Sequence, residues 1–487
     1  MPSKESIVVA AAAEPDSFFP FNPDNMTNMD EVPILHNVYE TPIKLMPDGS
    51  HEPLLALSWD ISPDGKDYTL NLRDDVYFHN GDKMTAEDVA FSLNGAAETP
   101  GGRTLLINYD NAEVIDETTV VVHLTDPYAP FLNSLASRFA LVVNKALFDE
   151  IGIDGYDAAP VGTGPYKFVQ RIAGDHLTLE ANDEYWGEKP AITNIKYQVM
   201  TDANTQMLAL ENGEIDVLLN ANISPLLQLP ESSGVKYLST EAANIAAMMI
   251  NCTKGPGTDP DFRKALQSGI NREELILGVY EGMTVPTDIY MASSFSGRLD
   301  DGTYQGITYD PDKARQYLEA SNYNGEEFMI ATVAGTRNEV ASQIVQGQLI
   351  ELGINCTVNA LDAASFMALA FYGTGEYGAT LRAGGVSVLD ADGLYTLFHP
   401  DVRSEGQYVA YPDSEELDRI IELVAMGRVE SDPEARKEIY AEACDIINKE
   451  AYLVNLYCDL SVVAFNEAIR GVVTRSLVGL YYFNDWS

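Results

Sequence analysis

The spacing of hydrophobic positions along this chain changes in a way that marks out alternating strands and helices. Residues 7–14, IVVAAAAE, form a short apolar run that reads as a buried strand. The PDSFFPFNPDN that follows carries three prolines, which exclude regular structure and make it a loop delivered to the strand's end. VPILHNVYETPIKLMPDGS (32–50) reads as helical to about Tyr39, and Asp48-Gly49 and Asp64-Gly65 mark turns between short strands. In KDYTLNLRDDVYFHNGDKM the apolar residues alternate, as in half-buried strands, and at TAEDVAFSLNGA (85–96) the spacing becomes helical, with Thr85 as the N-cap. The stretch 50–130 is therefore a β-rich module. After VGTGPYKF (161–168) comes a strand, HLTLEAND, and residues 194–219 read strand, helix, strand, a βαβ pattern.

From about residue 241 the chain starts a second α/β domain. AANIAAMMINCT opens it, with helices at PDFRKALQSGI and DPDKARQYLEAS, a strand at FMIATVAG, a helix at NEVASQIVQGQLIELG, a strand at INCTVNAL and a helix near AASFMALAF. Helices at SEELDRIIELVAMG and DPEARKEIYAEACDIINKE lead to a last apolar strand, YLVNLYCDLSVVAF (452–465). No repeat or low-complexity linker interrupts this order, so the domains are expected to join through strands.

Length agrees with two or three domains, since 487 residues exceed what one core supports. No apolar run approaches the roughly 18 to 20 residues of a membrane span. Charge changes the picture more: 30 Lys and Arg against 74 Asp and Glu give a formal net charge of −44, which argues against nucleic acid and anionic membranes as partners. Such acidity keeps a protein soluble, and it also suits cationic ligands or a salty environment. The four cysteines, Cys252, Cys356, Cys444 and Cys458, form no CxxC and have no histidine at zinc-finger spacing, so neither metal nor redox work is expected of them. No secretory signal is visible in the opening MPSKESIVV, so a leader is expected to precede this chain.

Catalytic chemistry has no foothold in the motifs. Gly373, Gly375 and Gly378 make a GxGxxG, but it follows a helix and precedes a strand, the reverse of a dinucleotide fingerprint. There is no GxxxxGK[ST], HExxH or GxSxG. No cofactor is called for, and an enzyme such as a surface hydrolase is the poorer hypothesis. Turnover would mark a hydrolase, one-to-one saturation a binding protein, and no response to any small molecule an adhesive surface protein.

Eight stretches, in order, carry a resemblance: EPDSFFPF; VYET; LRDDVYFHNGDKMTAEDVAFSL; VGTGPYKF; NDEYWGEKP; DANTQMLALENGEIDVL; INCTKGPGTDPDFRKALQSGINREEL; and YDPDKARQYL. Together they resemble the family 5 solute-binding proteins of bacterial ABC importers for peptides and nickel. The resemblance implies a two-lobed α/β fold of the periplasmic-binding-protein type II class, with an extra β-rich subdomain on the first lobe. Lobe one would comprise 1–44, 161–240 and 464–487, with 45–160 inserted; lobe two would be 241–463, and the hinge would lie near 241–246 and 462–466. It further implies a monomer outside the cytoplasm, periplasmic or anchored as a lipoprotein. Such a protein captures a peptide or peptide-like ligand in an interlobe cleft for the ABC permease subunits in the membrane, while other members take nickel chelates or opine-type anions.

The resemblance also points at LRAGGVSVLDADGLY (381–395) as cleft lining. Tyr377, Asp390 and Leu394 fit the peptide-binding pattern of this stretch. Ser387, however, stands where the family's aspartate pairs with a ligand's α-ammonium, Gly384 replaces a tryptophan and Ala391 a proline. A serine accepts a hydrogen bond from an ammonium but does not neutralise it. Arg382 suits a carboxylate held by its forked guanidinium, with Gly384 and Gly385 letting backbone approach a ligand; the alternative is a surface pair with one of the many acids. Further cleft candidates are Phe18, Phe19 and Asn22; His36, Asn37 and Tyr39; and Thr336, Arg337 and Asn338. For the aromatics the competing role is core packing, and for His36 a hydrogen-bonded scaffold position rather than a metal ligand. Asp390 and Asp392 are expected to hold their loop through local hydrogen bonds to backbone.

Overall fold

The structure is a computed structural model, and it describes residues 4–13, 15–22, 32–298, 308–372, 376–385, 389–400, 411–477 and 479–487. The chain divides into two compact units, Met1–Thr240 with Ser461–Ser487, and Glu241–Leu460. In chain order the strands are β1 (Ser6–Ala11), β2 (Ile43–Leu45), β3 (His51–Pro53), β4 (Ala56–Ile61), β5 (Asp67–Leu72), β6 (Tyr109–Asp116), β7 (Thr119–Leu124), β8 (Tyr166–Ile172), β9 (His176–Ala181), β10 (Asn194–Val199) and β11 (Val217–Leu218). β12 (Val235–Ile250) carries the chain into the second unit, which adds β13 (Phe328–Val333), β14 (Cys356–Leu361) and β15 (Ala379–Gly385). β16 (Leu453–Asn466) carries it back.

In the first unit the apolar run of β1 is central because both its edges are paired. It runs parallel to β10, Ser6 opposite Asn194 through Ala11 opposite Val199, and parallel to β11 on the other side. The βαβ pattern at 194–219 is thus split around β1, with the helix Ala203–Glu211 as its crossover. β9 and β8 extend the sheet antiparallel beyond β10. β4, β5, β7 and β6 form a separate antiparallel sheet, and the helix Ala86–Ala97 buries Val89, Leu93 and Ala96. That helix starts where the sequence places it, since Asp88 accepts the Thr85 backbone N–H at 2.8 Å. The glycines of GTGPY are required by packing: a Cβ on Gly162 would lie 2.0 Å from the Val38 carbonyl oxygen, and one on Gly164 2.6 Å from that of Asn37.

In the second unit β13 lies between β14 and β15, parallel to both, and β12 pairs antiparallel with β15. The helix Arg337–Leu352 links β13 to β14, and the helix Ala363–Tyr372 links β14 to β15. A parallel sheet with helical crossovers opens at the carboxyl ends of its strands, and ligands of α/β folds gather there. Arg382, Gly384, Gly385 and Arg337 all sit at that end.

Candidate functional site

β15 places its residues alternately on two faces, so Thr380, Arg382 and Gly384 share one. Across the antiparallel ladder Arg382 pairs with Ala247 and Gly384 with Ile245, giving the half-buried arginine an apolar neighbour strand. Gly384 is a glycine for a steric reason: a Cβ there would lie 1.7 Å from the Tyr290 hydroxyl and 3.7 Å from Arg382 Nη2. Tyr290 is buried, which raises its pKa, while the positive charge of Arg382 opposes the rise. A guanidinium and a phenol thus lie together beside small residues at one strand end, an arrangement suited to an anionic group. Gly385 closes the strand, and Ser387 lies outside the described residues, as do Gly373 and Gly375 of the glycine motif.

Beyond 388 the chain is gripped again. The Ser296 N–H donates to the Leu389 carbonyl at 3.0 Å, and the Ala391 N–H to the Ser296 carbonyl at 2.9 Å. Asp390, 1% exposed, accepts a forked pair of bonds from Arg436, with Nη1 to Oδ2 at 2.8 Å. Asp392, 2% exposed, takes Nε and Nη2 of Arg428 at 3.0 and 2.8 Å, and that guanidinium lies 3.3 Å from the centre of the Tyr395 ring. The expectation of purely local bonding is corrected here. Asp390 does accept the Asp392 N–H at 2.8 Å, but buried carboxylates need cations, and the helix Pro433–Glu450 and the helix Glu415–Val429 supply them. Arg428 and Arg436 are functional supports the sequence did not reveal, being 36 and 46 residues from their partners.

Arg337 is the first residue of the helix Arg337–Leu352, after its N-cap Thr336. Its exposed guanidinium lies 5.0 Å from the centre of the Tyr280 ring, and the Tyr280 hydroxyl donates to Asp459 Oδ1 at 2.9 Å. Burial raises the Asp459 pKa, opposed by the Tyr280 hydrogen bond and by Arg337. The backbone carbonyl of Asn338 accepts from Ser342 Oγ at 2.7 Å. Tyr280, Tyr457 and Asp459 are residues that sequence reasoning missed.

The first-unit candidates occupy other roles. Phe19 is 2% exposed and packs against Phe21, Phe148 and Tyr156 at 4.3, 5.3 and 5.6 Å, so it is a core aromatic, correcting its placement at a binding surface. Phe18 packs on Phe168 at 5.0 Å. Asn22 closes its own loop, the side-chain amide donating to Ser17 Oγ at 3.2 Å. Asn37 is fully buried and saturated by backbone: its amide donates to the Pro33 and Tyr481 carbonyls, and its oxygen accepts the Phe483 N–H, all at 2.7 Å. His36 lies edge-on to Tyr482, and burial, reinforced by Arg138 and Arg475, pushes its pKa down to about 3. Tyr39 is 0% exposed and lines a cavity of about 20 Å³ with His36, Glu40, Lys44 and Tyr185. A space of that size holds a single water and no solute. Among the described residues no three His, Cys, Asp or Glu lie together in a way that could hold a metal ion, and the four cysteines are free and buried.

Residues 51–405 match the family model of the bacterial extracellular solute-binding proteins, family 5 Middle, which is most of the chain. This chain belongs to that family. The Escherichia coli K12 dipeptide-binding protein is 25% identical over 99% of this chain and 94% of its own length. The Salmonella typhi glutathione-binding protein GsiB is 26% identical over 96% and 91%. Among solved structures, the Helicobacter pylori periplasmic binding protein DppA, in complex with the peptide STSA, superposes with a TM-score of 0.80 at 26% identity, covering 100% of this chain and 98% of that one. The expected fold class is therefore the observed one, and the chain is the solute-binding component of an ABC importer. Its relatives bind substrates rather than transform them and work outside the cytoplasm. No helix among the described residues is long and apolar enough to cross a membrane.

Proposed function

We propose that this family member captures a small peptide or peptide-like ligand through an anionic group held by Arg382, and passes it unchanged to the membrane permease. The observation that carries this reading is the strand end of β15, where Gly384 admits the Tyr290 hydroxyl beside the Arg382 guanidinium. The two nearby aspartates do not compete for that role, because Arg436 and Arg428 already occupy them. Neither is offered to a ligand ammonium. With Ser387 at the position of the family's ammonium-binding aspartate, ordinary peptides anchored by a free N-terminus in the usual manner bind poorly. The same cationic strand end favours a second reading, an anionic metal chelate or opine-type ligand. In both readings the protein acts as a monomer without catalysis, bends near 241–246 and 462–466, and resides in the periplasm or is held at the outer face of the membrane as a lipoprotein.

Mass spectrometry of whatever copurifies with the protein tests this directly, followed by thermal melts against pools of peptides, amino-acid derivatives and metal chelates. Ligand at about 100 times its Kd adds roughly 2.7 kcal/mol of stability. Anionic compounds in the retained fraction support the reading. Ordinary peptides that lose binding on N-acetylation would show that another group holds the amine at full strength, and would overturn it.

A further inference from the structure

The strands that end the sheets are protected to different degrees. β8, the end strand in the first unit, carries Lys167 and Arg171, and its register with β9 shifts between Phe168 and Gln170. β4 carries Asp60 and a register shift between Ala56 and Ser58, and β6 carries Asp110, Glu113 and Asp116 with shifts of its own. Charges and bulges of this kind keep a free edge from pairing with other chains. β14, CTVNAL, has neither. It contains no charged residue and no proline, and it stays in register with β13 from Cys356 opposite Phe328 to Leu361 opposite Val333.

Among the described residues no strand lies on the other side of β14. The Phe328 N–H donates to the Asn355 carbonyl at 2.9 Å and the Ala334 N–H to that of Leu361 at 2.7 Å. Residues 355, 357, 359 and 361 therefore bond to β13, and the N–H and C=O of Val358 and Ala360 point away from it. Among the described residues these outward groups make no hydrogen bond, whereas the Cys356 carbonyl before them is closed by Gln346 Nε2 at 3.1 Å. Val358 is half-buried and Ala360 exposed, so the open groups lie at the surface.

Charge decides what fits there. Exposed carboxylates stand near both ends of the open edge: Glu327 Oε1 accepts the Thr357 hydroxyl at 2.8 Å, and Asp362 directly follows Leu361. A second copy would bring the same acids, and a formal net charge of −44, against their like. Lysines or arginines flanking an uncharged extended segment would instead meet Glu327 and Asp362. We propose that the outer edge of β14 docks an extended segment of a partner protein, uncharged in its middle and basic at its ends, which joins the sheet as a further strand. This goes beyond ligand capture and does not depend on it.

Fluorescence anisotropy on the full chain with dye-labelled, end-blocked KTVTVTK, compared with ETVTVTE and KTVPVTK, tests the edge. The basic peptide binds. Acidic flanks, or the central proline that removes a backbone donor, weaken binding by about tenfold or more, and the preference for basic flanks falls as salt rises. Ala360→Pro removes an outward N–H and spares the ladder to β13, and Ala360→Lys places a charge on the exposed edge; each weakens the basic peptide by about tenfold or more. Glu327→Gln with Asp362→Asn, which keeps the helix cap, erases the preference for basic over acidic flanks. Equal affinity of KTVTVTK for wild type and both Ala360 variants would place the peptide elsewhere, the ligand site included, and overturns the docking edge. So does a wild type that does not bind it. Self-association in sedimentation that Ala360→Lys removes would give the edge to a second copy and overturn the basic partner.

Discussion

Asp390 and Asp459 are carboxylates of one unit, the first buried and the second half-buried, and their partners differ. Asp390 faces a forked guanidinium from Arg436 and is saturated. Among the described residues Asp459 has one neutral donor, the Tyr280 hydroxyl, and Arg337 lies over the ring of that tyrosine. Glu40 of the first unit is bonded by the Tyr185 hydroxyl at 2.7 Å and the Trp186 indole N–H at 2.9 Å and, among the described residues, by no cation. A buried carboxylate closed by a cation is costly to strand, whereas one held by a neutral donor near the surface is not.

The sharpest way to break this comparison is to remove the cation. Arg436→Ala strands Asp390 in the interior and is expected to cost about 3 to 5 kcal/mol in urea unfolding. Asp459→Ala is expected to stay within about 1 kcal/mol of wild type, because no charge pair is lost with it. Similar losses from the two would erase the distinction. Arg382→Ala should weaken ligand binding by about 2 to 5 kcal/mol with the fold intact, read by calorimetry once the retained ligand is identified; unchanged affinity would place Arg382 outside the site.

Glu40 separates neutral from cationic pairing through pH. Burial pushes its pKa from 4.5 up to about 7, against the hydrogen bonds from Tyr185 and Trp186, so the folded state holds the proton more tightly than the unfolded chain. Its contribution is complete below pH 4.5 and lost as pH rises to about 7, a fall of about 3 kcal/mol that Glu40→Gln should abolish. His36 runs the other way: its contribution is complete above pH 6.5 and lost as pH falls toward about 3. Unfolding curves of wild type and Glu40→Gln between pH 5 and 8 that remain parallel would contradict the assignment. A more modest loss is expected at the strand end. Gly384→Ala drives a methyl group into Tyr290 and should cost about 1 to 3 kcal/mol, recovered in part when Tyr290→Phe is added, and no recovery would mean that the phenol oxygen is not the obstacle.

The second unit's elements were legible because each carries its own periodicity. FMIATVAG became β13, INCTVNAL became β14, and the helices at 260, 311, 337, 415 and 433 start at aspartate, threonine or serine caps visible in the sequence. The helices Arg272–Tyr280 and Gly393–Phe398 were passed over, the first because its apolar residues are not confined to one face, the second because it is only six residues long. Candidate residues fared according to how much of their role is local. Arg382 and Arg337 were singled out through the resemblance rather than any local pattern, and Phe19 was misplaced because an aromatic loop reads alike whether it faces a ligand or a core.

By itself the sequence determined the order of strands and helices, the turns that only glycine makes and the family, since all of these rest on residue types at short or collinear spacing. Tertiary structure alone decided which charges are spent and which remain open. Asp390 meets a cation 46 residues away and Asp459 a phenol 179 residues away, and no local pattern encodes those distances. Burial sets the worth of each such contact, because a carboxylate withdrawn from water depends on its partner and one on the surface does not.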